Sequence, residues 1–149
     1  MTASTLADIS VVICAYTMDR WAELRAAVES LRRQSAPPRE IVVVVDHNPA
    51  LLDHARAELP GVTTMANAGP RGLSGARNSG VAASRGALVA FMDEDARAAP
   101  DWLARLAAGY ADPCALGVGG AILPLWSDGR PGWFPDEFAW VVGCTYRGM

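Results

Sequence analysis

Residues 87–96 read "ALVAFMDEDA". Five apolar residues, Leu88 to Met92, run directly into Asp93, Glu94 and Asp95. A short apolar run bounded by turn residues predicts a strand packed in a sheet. Side chains alternate along a strand, so Asp93 and Asp95 are expected to point one way and Glu94 the other. Two carboxylates on one side of a strand end can share a hard cation with a ligand phosphate. Mg²⁺ and Mn²⁺ favour oxygen donors and often take only one or two carboxylates from the protein. A solvated acidic turn is the plainer alternative for the same triplet.

Working outward, "ISVVICA" (Ile9–Ala15) and "IVVVVD" (Ile41–Asp46) are β-branched runs of the kind found in parallel strands buried on both faces. "VTTM" (Val62–Met65) predicts a short strand, and Ala115–Leu125 a fifth one loosened by glycines. Between them, Trp21, Leu24, Val28 and Leu31 share a face at helical spacing, with Asp19 as the expected cap. Leu51–Leu59, Leu73–Ser84 and a segment from Pro100-Asp101 to about Tyr110 also read as helices. Alternating strands and helices predict βαβ units, hence an α/β three-layer sandwich with a mostly parallel sheet. Ligands of such sheets bind beyond the carboxyl ends of the strands. Cys14-Ala15-Tyr16, Asp46 and Asp93–Asp95 all stand at those ends.

Composition narrows the partners. Hydrophobic residues make up 51% and charged residues 19% of the 149-residue chain, enough apolar material for a folded core. The net charge is −3 with no basic block, which gives no electrostatic basis for nucleic-acid binding. Cys14, Cys114 and Cys144 form no CxxC pair, so neither a zinc site nor a disulfide framework is expected, and a reducing compartment is. "MTASTLADIS" lacks the basic and apolar segments of a signal peptide. No apolar run approaches the roughly 20 residues of a membrane span.

"NAGPRGLSGARNSG" (Asn67–Gly80) joins glycines that permit close backbone approach to a following helix start, where free amides and the dipole favour a diphosphate. Arg71 and Arg77 add positive charge. The stretch matches neither the G-x-G-x-x-G pattern nor a P-loop, and a flexible turn before a core helix is the alternative. Asp46 can accept from the N3–H of a uracil, or simply hold a turn. Tyr16 can stack on a base or fill the sheet edge. His47 reads as a loop histidine and His54 as a solvated helical one.

Three blocks together, "ISVVICAYTMDRWAELRAAVESLRRQ", "EIVVVVDHN" and "NAGPRGLSGARNSGVAASRGALVAFMDEDA", resemble family 2 glycosyltransferases of the GT-A fold in order and spacing, from Ile9 to about Ala96. The resemblance implies sugar transfer from a nucleotide diphosphate donor, with inversion, using Mg²⁺ or Mn²⁺. It implies that Ala15, Tyr16 and Thr17 border the nucleoside, Asp46 binds the base and Arg77 sits near the nucleotide. Asp93 would bind ribose or metal, and Asp95 would be the main metal ligand. A UDP-sugar is the favoured donor, and a saccharide or lipid-linked molecule the acceptor. The family's second acid after the Asp46 position is His47 here, and its usual Asn after the tyrosine is replaced by Met18-Asp19.

One GT-A-like domain over 1–149 is expected, with donor binding in about 9–96 and an acceptor-side region from about 115. The family's general base belongs to an acidic pair that normally follows a segment like "WFPDEFAWVVGCTYRG". No such pair follows here, so the chain is expected to be a fragment that binds donor and turns over poorly. Asp136 and Glu137 are the acids within that segment that stand as alternative base candidates. Trp126, Trp133, Phe134, Phe138 and Trp140 crowd the same region and suit sugar rings, an isoprenoid, or packing. The cytoplasm, or the inner face of its membrane, is the expected location. A nucleotidyltransferase is a competing reading, but it wants glycines after the first strand, where "CAYTMDRW" has none. A nucleotide-binding module without turnover is the other.

Overall fold

The computed structural model describes residues 8–145. The first seven residues of "MTASTLADIS" and the last four of "GCTYRGM" lie outside them. The chain divides into two compact units, up to Ala115 and from Leu116.

The first unit holds a parallel sheet of β1 (Ile9–Ala15), β2 (Glu40–Val45), β3 (Thr63–Ala66) and β4 (Leu88–Asp93) in the order β3-β2-β1-β4. The helices are α1 (Trp21–Arg32), α2 (Pro49–Glu58), α3 (Leu73–Ala83) and α4 (Trp102–Gly109). Alternation along β1 sorts the core into two layers. Ile9, Val11, Ile13 and Ala15 face α1, α2 and α4, packing on Leu24, Leu31, Leu51 and Leu103. Val12, with Val42 and Val44 of β2, faces the opposite way onto Ala76 of α3. Each fully buried Leu or Val contributes about 1.5–3 kcal/mol, so runs rich in β-branched residues are what central strands require, and the one polar residue of β1, Ser10, is hydrogen-bonded. The α/β three-layer arrangement is the one the sequence predicts.

Gly80 lets α3 lie close on its side of the sheet. A Cβ there would stand 2.4 Å from Val12 Cγ1. At the opposite strand ends, Ser10 Oγ donates to Glu40 Oε1 at 2.7 Å and accepts from the Gly86 amide at 2.9 Å. Arg85 adds its backbone amide and guanidinium to the same carboxylate. Burial alone would raise the Glu40 pKa, but these donors outweigh it and hold the carboxyl below the usual range.

Several local expectations are corrected. Asp19 caps no α-helix: Thr17 Oγ1 accepts from the Asp19 amide and caps a single 3₁₀ turn, Met18–Arg20, which leads into α1. β4 is an edge strand of the described sheet, half exposed along its length, with Phe91 42% exposed. The expected strand is present, and among the described residues it pairs only with β1. His54 is half-buried and packs edge-on against Trp21, with centroids 4.4 Å apart.

The second unit contains a 3₁₀ helix, Asp136–Val142, that ends at Gly143 in the left-handed conformation. Trp126 and Trp133 each meet Phe134 edge-on. The Ile122 and Thr145 segments bond to each other in both directions, Thr145 N–H to Ile122 O and Ile122 N–H to Thr145 Oγ1. The strand expected over Ala115–Leu125 is absent among the described residues. Among the described residues this segment joins no sheet: its bonds to Thr145 stop at Ile122, and Gly117, Gly119 and Gly120 raise the entropic cost of ordering it.

Candidate functional site

In the order β3-β2-β1-β4 the chain winds outward from β1, then returns to its other side. That reversal opens a crevice beyond the carboxyl ends of β1 and β4, where ligands of open α/β sheets bind. A cavity of about 760 Å³ lies there. Its wall includes Ala15 and Tyr16 at the end of β1, Asp46 and His47 after β2, Arg71 and Gly72 before α3, and Asp93, Glu94 and Asp95 at the end of β4. Segments far apart in sequence are gathered because parallel strands all end on the same side.

Asp46 is the most firmly held of these groups. Its Oδ1 accepts from Asn67 Nδ2 at 2.7 Å and lies 2.7 Å from His47 Nδ1. Its Oδ2 accepts from the Gly72 amide at 2.9 Å. The bonds from Asn67 and His47, with the Gly72 amide, pull its pKa down to about 2 against the cost of burial. A carboxylate offers about four lone-pair positions, and three are engaged here, which leaves one on Oδ2 for a ligand donor. His47 sits at φ 50°, a left-handed conformation unusual for a residue with a side chain.

Asn67 was not singled out in the sequence, yet it organises this corner. It donates to Pro70 O as well as to Asp46, and accepts from the Gly69 amide and from Ser79 Oγ. Gly75 permits the loop to fold back: a Cβ there would stand 1.9 Å from Pro70 O. An asparagine before a glycine-rich loop is the only sequence signal that could have marked it.

The acidic turn is laid out differently from the strand-based expectation. β4 ends at Asp93, and Glu94 and Asp95 form a turn, so alternation no longer governs them. Glu94, expected to point away, lies in the cavity wall and is 5% exposed. Its Oε2 has no hydrogen-bond partner. Burial raises the Glu94 pKa; Arg20 opposes the rise, while Asp95 and Asp93 add to it. Arg20 Nη1 lies 2.9 Å from Asp95 Oδ2 and 3.6 Å from Glu94 Oε1. Arg77 Nη2 lies 3.2 Å from Asp93 Oδ1, and its guanidinium sits 5.4 Å from the Phe91 ring. Arg77 and Thr17 are not among the residues of the cavity wall. Arg77 reaches the site through Asp93, and Thr17 spends its hydroxyl on the Asp19 turn.

Among the described residues no three His, Cys, Asp or Glu side chains converge as a closed metal cage. The donor set still fits a hard cation completed by a ligand. Asp93 and Asp95 offer exposed carboxylate oxygens, and the orphaned Glu94 oxygen behind them is the kind of buried acceptor a cation or its water satisfies.

Residues 10–145 match the family model described as glycosyl transferase family 2. The chain belongs to that family. A family member from Haloferax volcanii, named glucosyl-dolichyl phosphate glucuronosyltransferase, is 39% identical over 145 residues, covering 95% of this chain and 46% of its own length. The succinoglycan biosynthesis protein ExoO of Rhizobium meliloti is 36% identical over 103 residues, 66% of this chain and 28% of its own. The chain thus spans less than half the length of these relatives. Among solved structures, the mannosyltransferase PcManGT of Pyrobaculum calidifontis, in complex with GDP-Man and Mn²⁺, superposes with a TM-score of 0.58 at 23% identity, over 71% of this chain and 33% of that one. S. aureus TarS 1-349 gives a TM-score of 0.52 at 20% identity, over 77% and 39%. At these identities the likeness is one of fold, and the fold is the GT-A glycosyltransferase fold. No helix among the described residues is long and apolar enough to cross a membrane.

Proposed function

We propose that this chain supplies the donor site of a nucleotide-sugar glycosyltransferase that inverts at the anomeric carbon, with a UDP-sugar as donor and Mg²⁺ or Mn²⁺ as cofactor. The observation that carries this reading is the single cavity bordered by both Asp46 and the Asp93–Asp95 turn. In this reading the base lies against Tyr16 and offers its N3–H to the free position on Asp46 Oδ2. Ala15 borders the nucleoside, and Thr17, next to Tyr16 but outside the cavity wall, supports this corner through the Asp19 turn. Asp93 takes ribose or metal, and Asp95 is the main metal ligand.

The diphosphate would lie where α3 begins, since Gly72, Leu73 and Ala76 border the cavity. A helix start presents free amides and a partial positive charge to an anion. Arg71 in the wall adds a forked donor suited to phosphate, and Arg77 stands one residue behind Asp93. When bound, the divalent ion neutralises charge on the departing nucleotide diphosphate. The acceptor must lose a proton as it attacks. Asp136 and Glu137, which open the 3₁₀ helix of the second unit, are the base candidates in the acceptor-side region, residues 115–149. Unchanged transfer in both Asp136→Asn and Glu137→Gln would remove them. The name of the Haloferax relative, with its dolichyl phosphate, supports a lipid-linked acceptor and with it action at a membrane surface, which we place at the cytoplasmic face. Donor binding is the activity assigned to about residues 9–96, and transfer to the whole protein.

Calorimetry of UDP binding with Mn²⁺ and with EDTA tests the reading. Mn²⁺ is expected to strengthen binding, and Asp95→Ala to abolish that gain. Equal affinity in both conditions would discard the metal, and absence of UDP and GDP binding would discard the donor site.

A further inference from the structure

Arg20 stands where a cation is needed. It ends the 3₁₀ turn that follows β1, and its guanidinium reaches the acidic turn 75 residues later in sequence. Nη1 is in hydrogen-bond contact with Asp95 Oδ2 at 2.9 Å and lies 3.6 Å from Glu94 Oε1. Asp93 is served by Arg77 at 3.2 Å. Three adjacent carboxylates therefore face two guanidinium groups, and one negative charge stays unbalanced. The imbalance falls on Glu94: it is 5% exposed, lies in the cavity wall, and its Oε2 has no partner. A monovalent, directional guanidinium does not complete this cluster, whereas a divalent ion with its water shell can bridge several oxygens at once.

We propose that Arg20 is the counter-cation of Asp95 before ligand binds, and that it yields Asp95 to the divalent ion when the nucleotide diphosphate arrives. This rests on the metal-assisted donor-binding reading above. Metal and guanidinium compete for Asp95 Oδ2, so the chain holds metal poorly until the ligand brings phosphate oxygens to complete the coordination. The released guanidinium already lies in the cavity wall, beside the incoming phosphate charge. Arg20 thereby links the two binding events: metal loading without nucleotide is suppressed, and nucleotide makes it favourable.

The test is Mn²⁺ titration of the 149-residue chain by electron paramagnetic resonance, without nucleotide and then with UDP, in wild type, Arg20→Ala, Arg20→Gln and Asp95→Asn. Circular dichroism checks that each variant is folded. Removing a neighbouring positive charge and a competing ion pair is expected to tighten Mn²⁺ binding without nucleotide by about fivefold or more in both Arg20 variants. The enhancement of Mn²⁺ binding by UDP is expected to shrink in them. Asp95→Asn is expected to lose Mn²⁺ in both conditions. Wild-type-like or weaker Mn²⁺ affinity in folded Arg20→Ala and Arg20→Gln, with UDP enhancement intact, overturns the proposal and leaves the donor-site reading standing. Absence of Mn²⁺ binding in every protein, even with UDP, overturns both.

Discussion

Asn67 Nδ2 donates a 2.7 Å hydrogen bond to Asp46 Oδ1, and the residue that follows β3 thereby fixes the acid that follows β2. The same amide group bonds Pro70 O, and its oxygen accepts from Gly69 and Ser79. One buried side chain thus ties a strand end, the glycine loop and α3 together. Asn67→Ala would leave several of these groups without partners. An unsatisfied buried polar group costs about 1–3 kcal/mol, so a stability loss of about 2–3 kcal/mol in urea denaturation is expected, together with weaker UDP binding. A loss below about 0.5 kcal/mol would show that water replaces Asn67 at little cost.

Asp46 should leave a mark on acid stability. Its folded-state pKa of about 2 lies below the ordinary aspartate value, so the fold favours the ionised form. Its contribution is complete above about pH 5 and is lost as pH falls through 4 toward 2. Urea midpoints measured at pH 5 and pH 3 should therefore fall further in wild type than in Asp46→Asn. Parallel acid loss in the two proteins would show that Asp46 is not held as described. Asp46→Ala should also weaken UDP binding about tenfold or more, since a bond to a charged acceptor is worth roughly 1.5–3 kcal/mol.

Gly75 tests the loop by sterics alone. A Cβ at Gly75 would meet Pro70 O at 1.9 Å, against backbone that cannot swing aside as a side chain would. Gly75→Ala is expected to cost about 1–3 kcal/mol and to loosen donor binding by moving Arg71 and Gly72. Gly117→Ala, where no atom lies within 4 Å of the added carbon, serves as the neutral comparison. Equal stability of the two variants would mean that the loop does not fold back on α3 as seen.

Cys14 lies in the cavity wall, and burial pushes its thiol up to about 11; Asp93, Asp46 and Glu94 add to the rise, while Arg77 opposes it. The thiolate is the reactive form, so at pH 8 only about one Cys14 in a thousand is nucleophilic. Alkylation followed by mass spectrometry should modify exposed Cys114 well before Cys14. Faster labelling of Cys14 would contradict its burial.

How far the sequence reached differs by element. The β-branched runs of β1 and β2 identify central parallel strands because such strands bury β-branched residues on both faces. "ALVAFM" was legible as a strand, but that it forms the edge of the described sheet was not, since an apolar run does not report how many neighbours it has. Ala115–Leu125 carries strand-forming residues but joins no sheet among the described residues. Asp46, Tyr16 and Asp93–Asp95 were legible as site candidates because parallel strands end on one side, whatever the loops do.

The sequence by itself determined the alternation of strands and helices, the common side on which the strands end, and the family to which the chain belongs. Those follow from local periodicity and from short motifs whose spacing survives in one dimension. Only the tertiary structure decided the charge balance of the site. Glu94 turns inward because the strand stops at Asp93 and a turn follows, which period-two alternation does not foresee. Arg20 neutralises Asp95, and Asn67 secures Asp46, across 75 and 21 residues of chain respectively. Such pairings depend on where crossovers return the backbone, and that is set by the packing of helices on both faces of the sheet, not by any residue's own neighbours.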